Sequence, residues 1–258
     1  MRTIANFATR FRSGDFIIGT FVKTPDPAIV EVLARSAIDF VVLDAEHAPF
    51  SRRDLDLCLL AAREGNLPAL VRVTHSDPVS IQQALDQGAA GVVVPHVRTP
   101  QEAQHVARIS HFGSGGRGFA GSTRAADYTR RDIRAHLDAT ASSVVVVAQI
   151  EDAEAVEHSE GIAGTAGIDG VFIGPVDLCI SLGKTDVSDV TVQAAISAVA
   201  RGVKIARKSV GIFVGKSSDV ESYRNFELNF VLVRSDQSFV LNGADAACIE
   251  IRKTVSAT

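Results

Sequence analysis

The feature that most constrains this chain is a rhythm. Short runs of β-branched and aromatic residues, apolar almost from end to end, return with longer amphipathic segments between them. The runs are "FIIGTF" (16–21), "FVVLD" (40–44), "ALVRV" (69–73), "GVVVP" (91–95), "VVVVAQI" (144–150), "GVFIG" (170–174), "VGIFV" (210–214) and "FVLV" (230–233). A strand with one wet face alternates polar and apolar residues, whereas a parallel strand covered on both faces reads as a continuous apolar run. The segments between the runs read as helices. "PAIVEVLARS" opens on proline, "RRDLDLCLLAARE" has helical apolar spacing, and "VTVQAAISAVARGVKIARKS" closes on cations that suit a helix C-terminus. Eight β/α units in 258 residues predict an α/β fold of the (β/α)8 TIM-barrel type, one domain over 1–258. The doubly wound open sheet is the other arrangement that such alternation permits.

Composition excludes several functions. With 46% hydrophobic and 22% charged residues the chain can bury a full core, and disorder is ruled out. A net charge of −4 offers no broad basic footprint, so nucleic acid is not an expected partner. Charged and polar residues interrupt "MRTIANFATRFRSGDF" too often for a signal-peptide core, and no apolar run approaches membrane-spanning length. A soluble, cytoplasmic protein without membrane contact is expected. Cys58, Cys179 and Cys248 form no CxxC pair and are expected to be small buried hydrophobes.

One dinucleotide-like pattern is present, "GSGGRG" at 113–118. Such glycines hold a pyrophosphate only where a strand enters and a helix leaves. Here helix-like "QEAQHVARIS" precedes them, so the pattern reads as a flexible surface loop, with Arg117 or Ser122 as possible anion contacts.

In a barrel of this kind chemistry gathers where the strands end. The second run ends on Asp44, with Glu46 and His47 just beyond; the third carries Arg72; the fifth leads through Gln149 to Glu151; the sixth leads through Gly174 and Pro175 to Asp177. Two carboxylates from neighbouring strands, Glu151 and Asp177, without thiolate partners, suit a hard cation such as Mg²⁺ or Mn²⁺. Either acid alone reads more readily as a solvated loop acid; as a pair on adjacent strands they favour a metal. Arg72 offers a planar fork for a carboxylate and an enolate oxygen nearby. His47 stands three residues after Asp44, close enough for the acid to orient the ring as a general base. His96 is the other histidine placed near the mouth, and Glu46 has no firm role. A Schiff-base lysine is the competing device, with Lys23 and Lys216 as its candidates.

Taken together, "LDAEHAP", "QALDQGAAGVVVPHV", "GRGFAGSTRA", "QIED" and "DGVFIGPVDLCISLG" resemble the HpcH/HpaI aldolase family, the metal-dependent class II pyruvate aldolases that include 4-hydroxy-2-oxoheptanedioate aldolases. The resemblance runs from the first strand through the sixth helix. It implies a barrel whose last helix is exchanged between subunits, in homohexamers built as trimers of dimers. It further implies Mg²⁺, Mn²⁺ or Co²⁺ on Glu151 and Asp177, an oxyanion contact at Arg72, and His47 with Asp44 as the base. Gln149, Gly174 and Pro175 would line the pyruvate site, Ser122 would approach the substrate, and Asp86 would reach a neighbouring subunit's site. Departures fall in "VDLCISLG", "GKSSD" and "RSDQSF", where the acceptor end of a substrate would lie.

The expected reaction is reversible cleavage of a 4-hydroxy-2-oxo acid to pyruvate and an aldehyde. Oxaloacetate decarboxylation and lysis of a citramalyl- or malyl-CoA ester are alternatives on the same site, and a non-catalytic binding or assembly barrel is the alternative outside enzymology.

Overall fold

The computed structural model describes residues 2–256. Eight parallel strands close into one barrel in sequence order, β1 (Ile17–Val22), β2 (Phe40–Asp44), β3 (Ala69–Arg72), β4 (Gly91–Val94), β5 (Val145–Ile150), β6 (Gly170–Ile173), β7 (Ser209–Val214) and β8 (Phe230–Ser235). The sheet is closed, not doubly wound. Each of the eight apolar runs is a strand to within two residues, because burial on both faces leaves no polar position to blur its limits.

The helices are α1 (Ile4–Ser13), α2 (Pro27–Ala34), α3 (Arg52–Glu64), α4 (Pro78–Asp86), α5 (Pro100–Ser110), α6 (Ile133–Ser143), α7 (Ser159–Gly164), α8 (Pro175–Ser181), α9 (Val190–Ile205), α10 (Asp219–Ser222) and α11 (Asp236–Ser256). Three of them start the same way. Asp26, Asp77 and Thr99 accept a backbone N–H of the first turn, and Pro27, Pro78 and Pro100 follow with φ already helical.

Two apolar layers hold the barrel. Outward strand residues such as Val41, Val71, Val92 and Val146 pack under the helices. The inward set is rich in aromatics: Phe21, Phe40, Phe172 and Phe230 share the lumen with aliphatic residues such as Leu70, Val93 and Val147. Gly211 is required there, since a Cβ on it would fall 2.3 Å from the Phe230 ring. Helix α1, not anticipated from the sequence, plugs the N-terminal end. Its Phe7 lies 5.4 Å from Phe40 and its Phe11 5.0 Å from Phe230, ring centre to ring centre. Thr3 and Asn6 form a reciprocal cap at its start, and Gly14 at φ +81° ends it. With that end sealed, the C-terminal end is left for a site.

Two expectations need correction. Cys58 and Cys179 are buried as anticipated, but Cys248 is exposed on α11. The segment around "GSGGRG" does join two helices, α5 and α6, yet Arg117 within it is buried. It pairs with Asp86 and lies 4.7 Å from the Phe112 ring, because a guanidinium held by a carboxylate and an aromatic face no longer needs water. No helix among the described residues is long and apolar enough to cross a membrane.

Candidate active site

Register decides which strand ends meet. Asp44 and Arg72 are paired positions of β2 and β3, so their side chains emerge side by side. Arg72 donates from Nε to Asp44 Oδ1 at 2.9 Å and from Nη2 to Oδ2 at 2.8 Å, and its guanidinium lies 4.4 Å from the centre of the Phe21 ring. Burial would raise the Asp44 carboxyl, but the Arg72 hydrogen bonds and charge hold it below the usual carboxylate range. Lys23 adds its ammonium 3.5 Å from Oδ2.

This geometry corrects the expected Asp44–His47 pairing. Asp44 accepts the backbone N–H of His47 at 3.1 Å, not the imidazole. Its two oxygens are already engaged by Arg72, and the tight turn after β2 turns the ring away. The carboxylate near the His47 ring is Glu46, whose Oε2 lies 3.7 Å from Nε2.

Glu46 is the residue whose role sequence reasoning missed. Its Oε2 lies 3.3 Å from Arg72 Nε, and its Oε1 lies 3.9 Å from His96 Nε2. His96, just past β4, has a left-handed backbone (φ +54°) and donates its backbone N–H to Glu151 Oε1 at 3.0 Å. Its Nδ1 is 3.0 Å from Asp152 and 3.4 Å from Glu151. Ligand atoms of Glu46, His96 and Glu151 all lie within 4.8 Å of one another. The spacing "PHV" after a strand offered a signal for His96; nothing in the sequence marks Glu46 over any other loop acid.

Electrostatically the cluster is unfinished. Burial pushes both the Glu46 and Glu151 carboxyls above their ordinary values. Burial would lower the His96 imidazole, but the Asp152 hydrogen bond and the surrounding carboxylates raise it. Glu46 Oε2 and Gln149 Oε1 are buried without a hydrogen-bond donor, while Gln149 donates its Nε2 to Glu151. A buried carboxylate oxygen and a buried amide oxygen without donors suit a hard divalent cation.

Asp177, in the first turn of α8, is exposed at the edge of this group and near enough for its charge to act on Glu46. Gly174 lets Glu151 approach, since a Cβ there would fall 2.9 Å from Oε2. A cavity of about 330 Å³ opens over these groups, lined by His47, Arg72, Gln149, Gly174, Pro175 and Asp177 among others. Six expected site residues therefore meet there, and Glu151 lies directly beside them.

Asp44, fully buried and held by Arg72, does not line the cavity, and two further expected residues lie away from it. Asp86 ends α4, at the opposite end of the barrel, where it pairs with Arg117. Ser122 belongs to the loop packed on that same end, where Ala125 donates to the Asp86 carbonyl. Of the lysines, Lys23 lines the cavity and Lys216 stands exposed outside it.

Comparison with known proteins places the chain in a family. Residues 17–242 match the family described as HpcH/HpaI aldolase/citrate lyase. The chain is 30% identical to a hydroxypyruvate/pyruvate aldolase of Paraburkholderia phytofirmans, over 98% of this chain and 100% of that protein. It is 35% identical to a 5-keto-4-deoxy-D-glucarate aldolase of Klebsiella pneumoniae, over 85% and 86% of the two chains. The crystal structure of an HpcH/HpaI aldolase/citrate lyase family protein from Burkholderia cenocepacia superposes with a TM-score of 0.90 at 33% identity, covering 96% of this chain and 99% of the other. The closed barrel is thus that of a member of a known enzyme family: this chain belongs to the HpcH/HpaI aldolase/citrate lyase family.

Proposed function

We propose that this chain is a divalent-metal-dependent aldolase that reversibly cleaves a 4-hydroxy-2-oxo acid into pyruvate and an aldehyde. The observation that supports this most is the Glu46–His96–Glu151 group, in which Glu151 is buried and Glu46 Oε2 has no hydrogen-bond donor. Burying a carboxylate costs on the order of several kcal/mol; Arg72 and His96 offset part of that here, and a cation would offset more. Glu151 and Asp177 are the proposed ligands, with Glu46 and His96 adjacent. Mg²⁺, Mn²⁺ and Co²⁺ all suit such a set. The bound ion supplies Lewis-acid polarisation of the substrate's 2-oxo group.

The remaining chemistry falls to the chain. Arg72 keeps Nη1 outside its pair with Asp44, and that donor stabilises the negative oxygen that develops on the pyruvate half. His47, at the rim with its ring exposed, takes the C4 hydroxyl proton. The C3–C4 bond then breaks, its electron pair passes to the pyruvate enolate, and the aldehyde leaves. Protonation at C3 completes pyruvate. Gln149, Gly174 and Pro175 line the pyruvate end. Lys23 is engaged by Asp44, not desolvated as an imine-forming lysine must be. Oxaloacetate decarboxylation uses the enolate half of this chemistry and is proposed as a side activity.

Assembly belongs to the same reading. Beyond Asp236, α11 buries no residue and exposes Val240, Leu241, Ile249, Ile251 and Val255. Such a helix suits exchange between subunits in a hexamer built as a trimer of dimers, where Asp86 and Ser122 would meet a neighbour's site.

The test is pyruvate release from a 4-hydroxy-2-oxo acid before and after chelation. Loss of activity, restored by Mn²⁺, is expected. Full activity without metal, together with borohydride trapping of an imine, would overturn the reading.

A further inference from the structure

We infer that Arg234 forms, with Ser235 and Ser238, a subsite for an anionic group on the far end of the acceptor aldehyde. This rests on the aldolase reading above and adds the substrate class to it.

The argument begins with backbone strain. Arg234 sits at the end of β8 with φ +53°, a left-handed conformation that glycine adopts freely and arginine does not. Strain of this kind persists only where surrounding contacts over-determine it. They do so here. Asp236, buried two residues later, accepts the backbone N–H groups of Lys23 at 2.7 Å and Thr24 at 3.0 Å, tying the end of β8 to the end of β1. Thr20 adds a hydrogen bond to the Val233 carbonyl at 2.7 Å. The chain therefore holds an arginine where glycine would fit with less strain.

The side chain has a place to act. Arg234 lines the 330 Å³ cavity, as do the hydroxyl-bearing residues Ser235 and Ser238, whose oxygens lie 3.1 Å apart. The other two basic side chains there are already committed: Arg72 to Asp44 and Glu46, and Lys23 to Asp44. Arg234 donates Nε to the Gly215 carbonyl at 2.9 Å and makes no ion pair among the described residues. One bond at Nε orients the plane and leaves both Nη groups, the fork that matches a carboxylate or phosphate. Asp177 is the one acid lining the cavity, and it is a proposed metal ligand, so its charge would be offset. A cavity of this size suits small substrates.

The experiment compares condensation of pyruvate with acceptor pairs that differ in charge: glyoxylate against glycolaldehyde, and glyceraldehyde 3-phosphate against glyceraldehyde. For Arg234→Gly, the anionic-to-neutral ratio of kcat/KM is expected to fall at least tenfold in one pair. That pair tells a carboxylate from a phosphate. Arg234→Lys, which keeps charge without the fork, should recover part of the ratio. Arg234→Gly relieves backbone strain, so misfolding does not explain a loss. Unchanged ratios in both pairs would overturn the proposal. Thermal shifts of metal-free protein with glyoxylate and glyceraldehyde 3-phosphate give a second readout. A shift that disappears in Arg234→Gly supports the subsite even if the wild type condenses no aldehyde, in which case the aldolase reading alone falls; no Arg234-dependent shift and no catalysis would overturn both.

Discussion

Arg72 holds Asp44 by two parallel hydrogen bonds of 2.8 and 2.9 Å, and Asp44 has no exposed surface. The acid that ends β2 therefore positions the arginine, while the histidine three residues on faces a different carboxylate.

Asp44→Asn tests that assignment. An amide keeps one acceptor oxygen but turns an NH₂ toward the guanidinium, so the fork is lost. Hydrogen bonds to charged groups are worth about 1.5–3 kcal/mol, which predicts a fall in kcat/KM of roughly tenfold to a hundredfold. Because Asp44 does not touch the His47 ring, the acid limb of the kcat/KM–pH profile should stay in place. A shifted acid limb would return Asp44 to the role of orienting the base.

Gly174→Ala separates metal binding from folding. The added Cβ would lie 2.9 Å from Oε2 and 3.0 Å from Cβ of Glu151, so the carboxylate must move. Displacing a metal ligand's setting typically costs about 10–100-fold in metal affinity. Calorimetric titration with Mn²⁺ should read that loss while far-UV circular dichroism is unchanged. Equal affinity in the variant would remove Glu151 from the ligand set.

The fold was legible because each parallel strand is buried on both faces, which writes it into the sequence as an uninterrupted run such as "FVVLD". Asp44, Arg72 and Gln149 were legible because each is a buried polar residue that breaks an otherwise apolar run near its end, and Asp177 because it follows β6 in the first turn of α8. Glu46 was not: its burial follows from the turn after β2 folding inward, and no local pattern encodes that. His47 was found but given the wrong partner, because spacing of three residues does not say whether a backbone N–H or a ring reaches the acid. Helix α1 was read only for what it is not, as its role depends on Phe7 and Phe11 meeting a lumen built from distant strands.

Assembly should be visible in solution. A helix exposing Leu241 and Ile251 alongside three other large apolar residues predicts a light-scattering mass several times the 27.3 kDa of one chain. Leu241→Glu combined with Ile251→Glu is expected to shift the mass downward. A wild-type monomer would dismiss helix exchange, and with it any route for Asp86 or Ser122 to a substrate.

His136 predicts an acid-side loss of stability independent of the active site. Its ring is buried between Phe112 and Phe119, at 5.3 and 5.5 Å between ring centres, and neither nitrogen has a hydrogen-bond partner. Burial depresses the imidazole below its ordinary 6.5, and the charges of Arg117 and Arg131 lower it further. As pH falls through 6.5, the unfolded chain takes up a proton that the folded chain refuses. Folding therefore weakens from that point downward, by up to about 1.4 kcal/mol per pH unit, until the folded ring also protonates. His136→Phe retains the aromatic contacts and removes the titration. Urea midpoints at neutral and mildly acidic pH should show the variant gaining on the wild type as pH drops. A gap that instead narrows on acidification would mean that the folded ring gains a partner for its proton.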